Sequence, residues 1–405
     1  MKQLTPSQKT AMKENSNMLV EAGAGSGKTT LFVERYCNIL IKNSHIAPEN
    51  ILALTFTKKA AAECRNRIYE QCLTHQTTPP CLTQAIEQLH NAPITTFHGF
   101  CSLLLKEFAL SQEQSPYTSV LTEDASLFLI NKAIKNTLSK LALNKDPHLK
   151  HYLSELPEHR LKQDLLHCHK QSSAIKTFLK NNHAPTTDIS HALLELYQHS
   201  HTLYTDLKHQ QDVYDYDDLI HHTEDLLENA TIQKKIQERY CFLMIDECQD
   251  TDPHQWNILQ KCCSLHNPLS DKKLFLVGDT KQCIYRFRGA ELGFFTSLST
   301  TFKNNAASST CVTLTDNFRS SPDLINPFNL LFKHLFEHST NRLTPYTALE
   351  AKTNLSGALS GYFLKDTAQQ TDEYANILKW LTPYLNNNPT KSIAVLARER
   401  RQCEA

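Results

Sequence analysis

The run Ala22-Gly23-Ala24-Gly25-Ser26-Gly27-Lys28-Thr29-Thr30 has the composition of a polyphosphate cradle. Closely spaced glycines let backbone N–H groups turn toward phosphate oxygens. Lys28 can reach the β- and γ-phosphates, and Thr29 offers a hydroxyl to Mg²⁺. Ala22 stands where the strict pattern has glycine, at a position remote from the phosphates. Nucleotide hydrolysis also needs carboxylates, and Asp246-Glu247 supplies them at the end of the apolar run Cys241 to Ile245. One acid, Asp246, can hold Mg²⁺ with Thr29 while its neighbour Glu247 orients and deprotonates water. Loop and acid pair together describe an ATP site with Mg²⁺.

Such residues work only at the ends of rigid elements. Met18 to Val20 is an apolar run before the glycine loop, and Lys28 to Ile41 has helical spacing, so the order is strand, loop, helix. A second unit follows, with Ile51 to Phe56 as strand and Lys58 to Cys72 as helix, which predicts a parallel α/β sheet. Cys241–Ile245 and Leu274–Val277 read as buried parallel strands that end in Asp246 and beside Asp279. Cys311–Leu314 and Ile393–Leu396 are further strand candidates beyond a polar linker. Thr5 and Pro6 mark a helix start, with Thr5 as cap and Pro6 in the first turn.

Between about Ser102 and Glu238 the pattern is helical and no strand is expected. Leu127, Ile130, Ile134, Leu138 and Leu141 share one helical face, and Ile189, Leu193, Leu196 and Tyr197 share another. This stretch holds twelve of the twenty histidines. Zinc ligation would call for a second ligand pair at fixed spacing, so solvated helix surface is the reading for these imidazoles, His167 and His169 included.

Composition bounds the rest. With 405 residues the chain can build two or three domains without disulfide or metal staples. The 42 basic and 42 acidic side chains cancel, which excludes a polycationic mode of nucleic-acid binding. Thirteen cysteines without a C-x-x-C pair, and a polar start from Met1 to Asn17, read as reduced thiols in a cytoplasmic protein without a leader. No apolar run approaches the ~18 residues that span a bilayer, so no membrane contact is expected. Of nine glycines, six (Gly23, Gly25, Gly27, Gly99, Gly278 and Gly289) fall in the four segments that carry the chemistry.

Those segments have a family resemblance. Asp246-Glu247-Cys248-Gln249-Asp250-Thr251 and Gly278-Asp279-Thr280-Lys281-Gln282, continuing through Tyr285-Arg286-Phe287-Arg288-Gly289-Ala290, resemble the second and third motifs of the UvrD/Rep family of superfamily-one DNA helicases. Phe287, Thr96-Phe97-His98-Gly99-Phe100-Cys101 and Asp215-Tyr216-Asp217-Asp218-Leu219 are similar to the RecB and AddA branch. The resemblance implies that Gln8 reads the adenine edge, although its place three residues after Thr5 also suits a capping box. It implies that Gln282 senses the γ-phosphate, that Arg319 acts as an arginine finger and that Phe318 stacks on the base. Single-stranded or partly duplex DNA would cross the corners at Phe56, Thr57 and Lys58 and at Thr96, Phe97 and His98. Tyr285, Phe287 and Arg288 would add aromatic faces and charge. Asp215 to Asp218 reads as a helix cap without chemistry.

The implied architecture is a RecA-like P-loop domain from 1–101 and 236–302, a helical insertion over 102–235, and a partial second RecA-like domain over 303–405. In the family, further motifs, a second arginine and, in the RecB/AddA branch, a nuclease domain follow the point at which this sequence stops. Two readings result. One is a DNA-stimulated ATPase and 3′–5′ helicase of recombination and repair. The other is a truncated or split-gene module that binds ATP and DNA and needs a second polypeptide, or a RecBCD/AddAB-like complex, to complete the motor.

Overall fold

Six apolar segments form one sheet in which every neighbouring pair is parallel, in the order β3-β2-β6-β7-β1-β8. They are β1 (Asn17–Ala22), β2 (Ile51–Thr55), β3 (Ile94–Thr96), β6 (Phe242–Ile245), β7 (Leu274–Gly278) and β8 (Ser309–Leu314). The computed structural model describes residues 4–13, 16–74, 80–112, 115–180, 185–263, 274–284, 292–305, 309–338, 346–357, 370–387, 393–394 and 396. Short strands β4 (Ser119–Val120) with β5 (Val213–Tyr214), and β9 (Asp316–Asn317) with β10 (Glu350–Ala351), form two separate parallel pairs.

The helices are α1 (Pro6–Ala11), α2 (Lys28–Lys42), α3 (Lys58–Thr74), α4 (Pro80–Gln88), α5 (Phe97–Glu107), α6 (Glu123–Leu143), α7 (Pro147–Glu155) and α8 (Glu158–Lys170). They continue as α9 (Ser172–Lys180), α10 (Asp188–Gln211), α11 (Tyr216–Leu226), α12 (Ala230–Arg239), α13 (Pro253–Cys263), α14 (Leu292–Asn304), α15 (Pro322–Glu337) and α16 (Gln370–Asn387). Residues 1–355 and 356–405 are two compact units, and α16 belongs to the second.

The sheet is buried on both faces, as a parallel sheet must be. One core packs Leu31, Phe32, Ile39 and Ile68 of α2 and α3 against Met18, Val20, Met244 and Val277. The other packs Phe100, Leu104, Leu219, Leu226, Ile236, Ile258 and Phe302 against Leu19, Leu52, Leu243 and Leu276. That second core corrects the expected boundaries. Residues 102–108 and helices α11 and α12, assigned to the insertion, cover the sheet. The insertion's own cores lie on α6, α7, α8 and α10, around Ile134, Leu161, Leu165, Leu196 and Tyr197, and around Leu129, Ala133 and Tyr204.

Strand β8 is a second correction. The expected start of a second domain at 303 puts Ser309–Leu314 outside the first sheet, yet β8 pairs with β1 along Asn17 to Ala22. Val312 and Leu314 are buried against the α2 face, so the strand's apolar residues complete this core. Within 102–235, β4 and β5 pair at the base of the insertion, where no strand is expected; at two residues each they are too short to show a period. At the far end, 393, 394 and 396 carry no strand, against the expectation for Ile393–Leu396.

Eleven described cysteines are free thiols, most of them buried. Among the described residues, no helix is long and apolar enough to cross a membrane.

Candidate functional site

All six sheet strands run the same way, so the residues that follow them gather at one edge, where open α/β sheets bind ligands. The loop after β1 turns at Gly25 and Gly27, with φ of 74° and 85°, a left-handed backbone that glycine adopts without a Cβ penalty. Ser26 is buried and closes the loop by donating Oγ to the Gly23 carbonyl at 2.7 Å. The 15-residue α2 that follows has Gly27 at its cap and no side-chain cap, which leaves its first N–H groups for an anion.

Gln8 braces this loop. Thr5 and Gln8 form a reciprocal capping box at 3.1 and 3.3 Å, and Gln8 Nε2 donates to the Ser26 carbonyl at 3.2 Å. The buried Arg35 of α2 donates to the carbonyls of Ala11 and Lys13, which fixes α1 beside α2. Both atoms of the Gln8 amide are thus engaged by protein, one by the cap and one by the loop.

The acid pair follows β6. Glu247 sits at φ 53°, uncommon for a residue with a side chain and of the kind found at functional sites. Its Oε2 lies 2.9 Å from Lys28 Nζ and accepts from Gln249 Nε2, also at 2.9 Å. Gln249 Oε1 in turn accepts the Asp279 backbone N–H at 2.8 Å, and Asp279 Oδ2 accepts from Gln282 Nε2 at 2.8 Å. A continuous hydrogen-bonded path therefore runs from Lys28 through Glu247, Gln249 and Asp279 to Gln282. Burial, and then the charge of Glu247, push Asp246 up to about 6, opposed by Lys28. Burial and Glu247 likewise raise Asp250 to about 6.

After β8 the chain returns to the loop. Asn317 Nδ2 donates to the Ala24 carbonyl at 2.7 Å, and Phe318 N–H donates to the Gly25 carbonyl at 2.8 Å. Asn317 Oδ1 accepts the N–H groups of Arg319 and Ser320. The side chains of Phe318 and Arg319 are exposed immediately beside the loop. A Cβ on Gly25 would lie 2.8 Å from Arg319 Cβ, so the two backbones approach closely.

The strand-to-helix corners are mixed. Thr57 and Lys58 are exposed and Phe56 is half-buried, with Thr57 Oγ1 accepting the Ala60 N–H. Thr96 Oγ1 accepts the Gly99 N–H and caps α5. Phe97 lies in the sheet core, 8% exposed, and presents no face to a base. His98 is half-buried, with its ring 4.8 Å from Tyr216. Tyr285, Phe287 and Arg288 lie outside the described residues.

Comparison with known proteins agrees with this construction. The UvrD/REP helicase N-terminal domain model matches residues 4–303. The chain belongs to the UvrD/REP helicase family. It is 28% identical over 395 residues to the probable DNA helicase II homolog of Mycoplasma genitalium, covering 95% of this chain and 50% of that protein. It is 26% identical to the ATP-dependent DNA helicase UvrD1 of Mycobacterium leprae, over 84% of this chain and 40% of that protein. With the ATP-dependent DNA helicase PcrA of Leuconostoc citreum it shares 27% over 80% of this chain and 38% of that protein. The chain thus spans about half or less of the length of these relatives.

Within this UvrD/REP fold the donor set suits a nucleotide and a hard cation. The uncapped α2 terminus and Lys28 present positive charge to phosphate. Thr29 and Asp246 offer oxygen ligands of the type Mg²⁺ prefers. Asp250 Oδ1, buried without a hydrogen-bond partner, offers one more acceptor beside the pair. Three contributors have no separate signal in sequence: Gln249 and Asn317, whose roles are contacts between distant segments, and Asp250. Gln249 and Asp250 stand inside the run that opens with the acid pair and Asn317 directly precedes Phe318 and Arg319, so their location is legible though their partners are not.

The insertion departs from expectation at its histidines. His169 is buried and hydrogen-bonded to Ser200 Oγ at 3.0 Å, beside Tyr197, His201 and Tyr204. It is core rather than solvated surface. At the Asp215 run, Asp215 and Asp218 form a capping box on α11 and both pair with the buried Lys208, which supports the structural reading of this motif.

Proposed function

We propose that this chain forms the ATP-hydrolysing wall of a DNA helicase or translocase that is stimulated by single-stranded DNA and moves 3′ to 5′ in DNA recombination and repair. The observation that carries the proposal is the path from Lys28 through Glu247, Gln249 and Asp279 to Gln282. It couples a phosphate-binding lysine to the glutamine that leads out toward Cys283 and the following basic, aromatic run.

Each side chain then has a task. Lys28 leaves Glu247 for the β- and γ-phosphates, which frees Glu247 Oε2 to accept a proton from water. Thr29 and Asp246 hold Mg²⁺, which when bound neutralises phosphate charge; Ala22 to Thr30 wrap the phosphates. Gln282 reports the γ-phosphate to the DNA side. Arg319 adds charge to that phosphate and Phe318 stacks on adenine, with Gln8 at the adenine edge once it yields its cap or loop bond. Phe56, Thr57, Lys58, Thr96 and His98, with Tyr285, Phe287 and Arg288, contact unpaired DNA. Further charge on the opposite side of the γ-phosphate comes from a second motor domain, in the same polypeptide or in a partner chain.

The test is steady-state ATP turnover by the purified chain with and without an oligothymidylate. Stimulation by DNA is expected. Lys28→Ala should abolish nucleotide binding, whereas Glu247→Gln should retain it and slow turnover roughly 10²–10⁴-fold, the range of general-base contributions. Intact nucleotide binding with no DNA stimulation would overturn autonomous motor activity in favour of a module completed by another chain.

A further inference from the structure

A second constellation of ligating side chains lies apart from the nucleotide site, on the helices that cover the sheet. His221 and Glu224 are three residues apart on α11, and His254 lies in the first turn of α13. One potential ligand atom from each falls within 4.8 Å of the others. Glu224 Oε2 stands 3.0 Å from His254 Nδ1 and 3.7 Å from His221 Nδ1. Zinc bonds of 2.0–2.2 Å at tetrahedral angles place neighbouring ligand atoms roughly 3.3–3.5 Å apart. The two separations bracket that value.

The surroundings orient the carboxylate. Asn257, one turn after His254 on α13, donates Nδ2 to Glu224 Oε1 at 2.9 Å. Oε1 is thereby fixed and Oε2 is turned to both imidazoles, the outer-shell arrangement that holds ligating carboxylates in place. Lys261 Nζ pairs with Glu228 at 2.6 Å, with the Glu224 backbone carbonyl at 3.5 Å, rather than with the Glu224 carboxylate. The side chains of His221, Glu224 and His254 are 28%, 15% and 39% exposed, so solvent can complete a coordination shell.

We propose that His221, Glu224 and His254 form a binding site for one divalent transition-metal ion of the zinc class, clasping α11 to α13. Two imidazoles and one carboxylate suit Zn²⁺, Co²⁺ or Ni²⁺ far better than Mg²⁺, which keeps oxygen ligands. The ion ties the helix that leaves the insertion to the helix that follows the catalytic acid pair. It is distinct from the cation held at Thr29 and Asp246.

The test uses Co²⁺ alone as probe, added to the full chain in excess Mg²⁺ and without nucleotide, with visible absorption as the readout. One equivalent should give the d–d bands of a site with nitrogen ligands, and Zn²⁺ should displace it. His254→Ala and His221→Ala should each lose the bands, and Asn257→Ala should weaken binding about 10–100-fold, as loss of outer-shell partners does. His199→Ala, on the exposed face of α10, should change nothing. Absence of the bands in the parent chain, or bands retained in both histidine variants, would overturn the site. Circular dichroism checks each variant's fold, and Asn257→Ala decides the matter if a histidine variant unfolds.

Discussion

Gln249 hydrogen-bonds Glu247 at 2.9 Å with its amide nitrogen while its oxygen accepts the Asp279 backbone N–H at 2.8 Å. The side chain is buried, so one amide joins the end of β6 to the end of β7 and sets where the Glu247 carboxylate can go. A general base is useful only within hydrogen-bond reach of its proton. In the role proposed for Glu247 as base, Gln249 is the residue that positions its carboxylate.

Gln249→Ala should lower kcat about 10²-fold, the cost of misplacing a reacting group by about 1 Å, with the KM for ATP little changed. Removing the acceptor from a buried N–H should also cost about 1–3 kcal/mol of stability, readable as a lower Tm. Parent-level kcat in a folded variant would rule out the relay.

Gly25 and Gly23 should respond differently to alanine. At Gly25 the left-handed φ costs about 1–2 kcal/mol for a residue with a Cβ, and that Cβ would lie 2.7 Å from Asn317 Nδ2 and 2.8 Å from Arg319 Cβ. At Gly23 the nearest atom is the end of the Leu349 side chain, which can rotate away. Gly25→Ala should therefore weaken nucleotide binding much more than Gly23→Ala, as measured by titration with a fluorescent ATP analogue. Equal affinities would contradict the close approach of Asn317 and Arg319 to the loop.

The insertion should lose stability in mild acid. Burial, then His201 and Lys208, lower His169 to about 4, opposed by Asp215. Burial, then Lys176 and Lys208, lower His201 to about 4, opposed by Asp215 and Asp217. An unfolded histidine titrates near 6.5, so the unfolded chain takes up protons first. The stabilisation is complete above about pH 6.5 and is lost as pH falls toward 4. Tm should drop between pH 7 and pH 5, and His169→Gln should flatten part of that slope. A Tm independent of pH in that range would refute the linkage.

Much of the site is legible in sequence because its residues sit at the ends of apolar runs. Met18–Val20, Cys241–Ile245 and Leu274–Val277 each lie within or overlap an observed strand, and the loop, the acid pair and Gln282 follow directly from them. What is not legible is pairing across distance. Nothing in Cys311–Leu314 indicates that its neighbour is β1, nor does the amphipathic spacing of Leu219, Ile220, Thr223 and Leu226 on α11 reveal that it covers the sheet. Phe97 and His169 illustrate the same limit: an aromatic beside a motif and a histidine in a polar helix are both buried, and only the packed neighbours decide it.

The pairing of β8 with β1 has a mechanical consequence. The strand that leads to Arg319 is hydrogen-bonded along the full length of the strand that leads to the glycine loop, and Asn317 pins the two exits together. Loop and arginine thus share one anchorage, the paired strands of the sheet itself. Arg319, two residues beyond Asn317, is therefore held in fixed register with the glycine loop, and the return of β10 onto β9 at Asn317 braces the same exit from the far side.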